Sequence, residues 1–264
     1  EPISLENLQV RIGINGGVDE GWFILVHVAV EAEAGQMVGQ CVEAKLAAES
    51  GDSESLVETL KSLADEIGRL KSTFLRMRKR CDPHVYFLRV RPFTHGWHNN
   101  PAFPEGMIYE GVEEHSGKPA SFRGETGAQS SVIPTLDAAL GIDHPDDKLN
   151  KHLAAMRDYM PREHREFLTW MEESTVRDFV LQTSEEKDDS ERELLAAYNT
   201  CCEALTDFRT VHLEIAHEYV FAHRNTAIDS PSNPASVGTG GTPPIDYLSH
   251  HRDRTGDSII PDRT

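Results

Sequence analysis

No apolar run in the 264-residue chain approaches the roughly 20 residues that cross a bilayer, and no signal-peptide pattern opens it. Positive charge is scarce: 26 Lys+Arg stand against 44 Asp+Glu, a formal charge of -18. That balance excludes a nucleic-acid backbone or an anionic membrane as the natural partner. Cysteine is scarce too. Cys41, Cys81, Cys201 and Cys202 form no C-x-x-C pair, and two are adjacent, which suits neither a disulfide framework nor a zinc site. A reducing, cytoplasmic setting is therefore expected. Strand signals are scarce and no internal repeat is visible, which points to an all-α chain. It begins at Glu1 rather than Met, so the expectation is that its natural start is not included.

What the chain has in quantity is helical periodicity. Residues 22–46 read as a helix, although the β-branched front of the segment leaves a strand open. From 55 to 80 the residues Leu56, Leu60, Leu63, Ile67, Leu70, Phe74 and Met77 recur at helical spacing until Asp82-Pro83 ends the run. Further helices are predicted over 131–140, 149–159, 161–171, 175–182 and near 245–251. Between them, residues 92–135 form a Gly/Pro/Asn-rich segment carrying Phe93, Trp97, Phe103, Tyr109 and Phe122. Its length marks a functional loop and its aromatics argue against disorder.

The longest uninterrupted pattern lies at 194–221, with no Gly or Pro. Leu194, Tyr198, Cys201, Leu205, Phe208, Ile215 and Tyr219 define one stripe, and His212 fills its single gap. A seam histidine needs a partner for its ring nitrogens. The commoner arrangement is a core histidine bonded to a neighbour; the other is a metal or haem ligand. The remaining histidines, in mostly polar surroundings, read as surface residues. His95 and His98 could bind a metal, but no third ligand is evident. Arg89 and Arg91, beside Tyr86 and Phe87, are either surface arginines or a carboxylate clamp. Phe23 and His27 are four apart and share one helix face. GTGGT (238–242) lacks the Lys-Ser/Thr ending of a P-loop, so a mobile lid or a plain linker is expected there.

These stretches, in this order, resemble the indoleamine 2,3-dioxygenase family: RPFTHGW (91–97), NPAFPEGMIYEGV (100–112), GAQSSVIPTLDAALGI (127–142), MRDYMPREHREFL (156–168), FRTVHLEI (208–215) and GTGGT. The resemblance implies that residues 1–264 form a single α-helical haem-binding catalytic domain, the family's large domain. The family's N-terminal small domain is expected to be separate or missing. The resemblance also implies haem b as cofactor, with His212 as proximal iron ligand. Arg209 and Asp137 match positions that pair near the haem, and Ile215 and Tyr247 match haem-packing positions. On the distal side, Arg91 matches the arginine that binds the tryptophan carboxylate, and Phe23, Tyr86 and Phe87 match its aromatic lining. Gly124, Glu125, Thr126 and Gly127 match a loop beside haem and substrate, although Glu125 and Thr126 replace smaller residues. Thr239 matches a lid threonine. His27 departs from the family pattern: it falls where mammalian members carry a distal serine, whereas the related tryptophan 2,3-dioxygenases use a histidine.

The expected function is haem-dependent dioxygenation of L-tryptophan to N-formylkynurenine, the entry to the kynurenine pathway, with O2 as co-substrate and an electron donor keeping the haem reduced. The alternatives are a haem-dependent aromatic oxygenase with another outcome, monooxygenation or rearrangement, or a non-catalytic O2-binding haem protein.

Overall fold

The structure, a computed structural model, describes residues 3–100, 102–144, 148–183, 188–223 and 244–261; at 148–150, 244 and 247 it describes the backbone alone. Two long helices open it, α1 (Val18–Ser50) and α2 (Ser53–Leu75). Gly51 reverses the chain between them with φ 74°, a left-handed conformation that glycine adopts without penalty. Asp52 then caps α2 by accepting the Ser55 N–H at 3.1 Å. The helix expected through residue 80 ends five residues sooner and tightens into a 3-10 turn, Arg76–Lys79.

A single turn, α3 (Pro83–Val85), leads into a π-helical turn, Tyr86–Val90, and a 3-10 turn, Arg91–Phe93. Pro92 explains the change of pitch, because it has no N–H to continue the i→i−4 ladder. The loop that follows holds one small hairpin, β1 (Met107–Ile108) paired antiparallel with β2 (Pro119–Ala120). Then come α4 (Val132–Leu140), α5 (Lys148–Arg157), α6 (Arg162–Met171) and α7 (Val176–Thr183). The His212 helix is α8 (Asp189–Tyr219), started by a reciprocal Asp188/Glu191 capping box. The last helix, α9 (Pro244–Asp257), is longer than its sequence signal. The all-α reading holds among the described residues, apart from that hairpin.

α2 packs against both α1 and α8, and α9 packs on α8. The α2 leucines at 56, 60 and 63 meet Tyr198, Cys201 and Leu205 of α8 in one core. Each fully buried leucine contributes about 1.5–3 kcal/mol. Every apolar residue of the α8 stripe is buried. A second core joins Trp22, Val26, Met77, Tyr86, Ile215 and Tyr219. Val30 and Phe74 pack against both cores. Both also line the principal cavity, which opens where the two cores part. None of the described helices is long and apolar enough to cross a membrane, and all four cysteines are buried free thiols.

Candidate functional site

The cavity measures about 810 Å³, the size range of cofactor and ligand sites. Its walls carry His27 of α1, Tyr86 and Arg91 of the π/3-10 segment, Thr126 and Gly127, Asp137 of α4, and Arg209 and His212 of α8. Eight of the sequence-predicted residues are thus gathered around one space.

His212 stands on the α8 wall, its ring edge-on to Phe74 with centroids 5.5 Å apart. Burial drops its pKa to about 4, and the nearby His27 and Arg209 act in the same direction. At neutral pH the imidazole is uncharged, as a metal ligand must be. One turn earlier, Arg209 turns toward α4: Nη2 donates to both carboxylate oxygens of Asp137, at 2.7 and 2.8 Å. Nη1 donates to the His251 carbonyl at 2.9 Å and to the Thr255 hydroxyl. Arg209 therefore ties α8 to α4 and α9. Burial alone would raise the Asp137 pKa, but Arg209 and a 2.9 Å hydrogen bond from His144 Nε2 hold it at about 2.

The other wall is built from rings. Phe23 stacks obliquely on His27 at 4.5 Å and on Tyr86 at 4.8 Å, and His27 meets Phe74 edge-on at 6.5 Å. His27 Nδ1 lies 2.8 Å from the Phe23 carbonyl. A carbonyl only accepts, so Nδ1 carries the proton and Nε2 is left with the lone pair. Desolvation among these rings lowers the His27 pKa, partly offset by the Phe23 hydrogen bond and then by Glu31, although the side chain stays open to the cavity.

The π turn separates the two arginines that spacing could not. Arg89 is exposed, whereas Arg91 is 1% exposed and sits over the Phe87 ring at 5.6 Å. Burial lowers its pKa to about 10, still charged at neutral pH. The loop beside it is held by main-chain bonds. Trp97 and His98 N–H groups donate to the Phe122 carbonyl at 2.8 and 3.0 Å, and the Glu125 N–H donates to the Thr94 carbonyl at 3.1 Å. A Cβ at Gly96 would overlap the backbone of residues 122–124, so only glycine allows this approach. Sequence reading passed over Gly96, although it sits inside RPFTHGW.

Other expected residues take different places. Gly124, Glu125 and Phe23 line a second, smaller pocket of about 280 Å³. Phe87 is buried beneath Arg91. Ile215 packs in the second core rather than on the cavity wall, because residues 212 and 216 occupy the cavity-facing phase of α8. Thr239 and the whole GTGGT segment lie outside the described residues, as does the side chain of Tyr247. His152 and His251 correct the surface reading of the histidines: they are 7% and 6% exposed. His152 had a signal, since it lies four residues before buried Met156 on α5. His95 and His98 join no three-ligand group among the described residues.

A sequence model of the family described as "Indoleamine 2,3-dioxygenase" matches residues 1–258. The chain is 33% identical to "Indoleamine 2,3-dioxygenase 1" of Rattus norvegicus, over 98% of this chain and 64% of that protein. It is also 33% identical to the "Indoleamine 2,3-dioxygenase" of Saccharomyces cerevisiae, over 96% of this chain and 62% of that protein. A third relative, "6-hydroxytryptophan 2,3-dioxygenase" of Fusarium equiseti, is 32% identical over 97% of this chain and 65% of its own length. The chain spans just under two thirds of the length of these curated relatives. By the extent of the family match, the chain belongs to the indoleamine 2,3-dioxygenase family.

Proposed function

We propose that this chain is the haem- and substrate-binding part of a dioxygenase that opens the indole ring of L-tryptophan between C2 and C3, giving N-formylkynurenine. The observation that carries the reading is the placement of a neutral imidazole, His212, and a buried guanidinium, Arg91, on the walls of one cavity. The residues fit a haem. His212 would hold the iron through a nitrogen lone pair, Phe74, Val132 and Ile133 would supply apolar walls, and Arg209, paired with Asp137, lines the same wall. When bound, the haem supplies the iron at which O2 is activated, and both oxygen atoms enter the product without net electron transfer.

The remaining work belongs to the side chains. Arg91 binds the substrate carboxylate, a charge-assisted contact strengthened by its dry surroundings. Tyr86, backed by the Phe23 ring, confines the indole plane. His27 Nε2 accepts the indole N–H, which fixes the ring's rotation within the cavity. Together these groups hold the substrate in one orientation and exclude water.

Two measurements test the reading. Reduced, haem-loaded protein is incubated with L-tryptophan and O2, and the product is identified by mass; N-formylkynurenine is expected. A monooxygenated product, a rearranged product or no product would overturn it. His212→Ala is expected to abolish stoichiometric haem binding, read from the Soret band; full loading of that variant would remove His212 as the ligand.

A further inference from the structure

Behind the Arg209 wall, three side chains from distant parts of the sequence converge. Asp137 of α4, His144 just after α4 and His251 of α9 each bring one ligand-type atom within 4.8 Å of the others. No other such group of three occurs among the described residues. The two imidazoles lie 4.7 Å apart at 56°, and His144 Nε2 is 2.9 Å from Asp137 Oδ2. All three residues line the cavity, so a fourth coordination position opens onto it.

We propose that Asp137, His144 and His251 form a binding site for a divalent transition-metal ion of the zinc class, separate from His212. Two imidazoles and one carboxylate are a standard donor set for such ions. Ligands of one tetrahedral zinc ion lie about 3.3 Å apart, given metal–ligand bonds of about 2.0–2.1 Å. To reach that geometry the 2.9 Å His144–Asp137 contact widens slightly and the other separations close from at most 4.8 Å. To ligate, His144 Nε2 must offer its lone pair, so the ring proton moves to Nδ1 and the hydrogen bond to Asp137 gives way to the metal.

The donor atoms come from three separate stretches of the chain and converge on one point beside the cavity. Arg209 contacts both Asp137 oxygens through one nitrogen, and each oxygen retains a lone pair. Arg209 also decides which metal fits. Its charge cancels that of Asp137, so the cradle has no net charge to attract Mg2+ or Ca2+, which depend on anionic oxygen ligands. Affinity must come from imidazole nitrogen, which favours Zn2+, Co2+, Ni2+ and Cu2+. An ion there would brace α4 to α9 across the end of α8.

The test titrates the 264-residue chain, without added haem, with Co2+ and follows its visible d–d absorption; Zn2+ affinity is measured by competition with a chromophoric chelator. One equivalent with a tetrahedral or five-coordinate spectrum is expected, unchanged in His212→Ala. His144→Gln, which keeps a donor toward Asp137, and His251→Gln should each lose that spectrum and weaken Zn2+ binding at least 10-fold. Mg2+ in large excess should not displace Zn2+. Absence of a saturable one-equivalent spectrum would show that the cluster is a hydrogen-bond network alone. A spectrum surviving both glutamine variants, or lost in His212→Ala, would place the ion elsewhere, and displacement by Mg2+ would refute the charge argument. The Soret band of the same variants, with haem added, reports the haem reading independently.

Discussion

The two sides of the cavity are built by different physics. On the α4/α8/α9 side, Arg209, Asp137, His144 and Thr255 satisfy one another through charge-assisted bonds that cross three elements. On the α1 side, Phe23, Tyr86 and His27 pack ring against ring, with Arg91 held over Phe87. The first side is fixed by mutual dependence among buried charges. The second is fixed by the backbone: a π turn forced by Pro92 and a close approach allowed by Gly96. Damage to the first should therefore cost stability, and damage to the second should cost ligand binding.

The most severe test is Asp137→Ala. It leaves Arg209 buried without its carboxylate, and a loss of about 3–5 kcal/mol in urea unfolding is expected. A loss below about 1 kcal/mol would mean that the ion pair does not hold that wall together. Arg91→Ala should behave oppositely. Removing a charge-assisted contact worth about 1.5–3 kcal/mol raises KM for L-tryptophan roughly 10- to 150-fold. Its unfolding midpoint should stay level or rise, because a buried cation has been removed. A fall in stability like that of Asp137→Ala would erase the contrast between the walls. Gly96→Ala tests the backbone device: pressing a methyl into the 122–124 main chain should cost about 1–3 kcal/mol and loosen Arg91 binding together with it. Equal Tm values for Gly96→Ala and wild type would show that the approach is not tight.

Mild acid should have the smallest effect. His212, His152 and His251 all have pKa values lowered by burial, to about 4, 4 and 3, against 6.5 unfolded. The unfolded chain takes up these protons first, so stability falls as pH drops. From pH 7.5 to 6.5 the loss should be about 1 kcal/mol in all. Asp137, depressed to about 2, adds its own loss only below about pH 4. A stability curve flat from pH 7.5 to 5 would show that the histidines are protonated in the fold.

Local periodicity made most of the fold legible. Helix phase fixes which side chains meet, so the α8 stripe and the α2 leucines could be read directly. His212 could be read only as a polar residue on a buried seam; the surrounding motifs gave it a role. The choice between Arg89 and Arg91 was not legible from spacing, because a π turn changes which residues face inward and no propensity announces it. The meeting of Asp137, His144 and His251 was invisible for another reason. More than a hundred residues separate His144 from His251, and their convergence depends on how α9 docks on α8. Ile215 failed as a wall residue by one step of helical phase.

Phe74 gives the molecule a built-in gauge. Its ring touches His212, His27 and Phe208, so it lies within the magnetic and steric reach of whatever fills the space between the two histidines. A fluorinated phenylalanine at this position would sense occupation from both faces through a single resonance. On the proposed function, cofactor on one side and substrate on the other would shift it in separate steps. The order in which the two sides fill could then be read without following turnover.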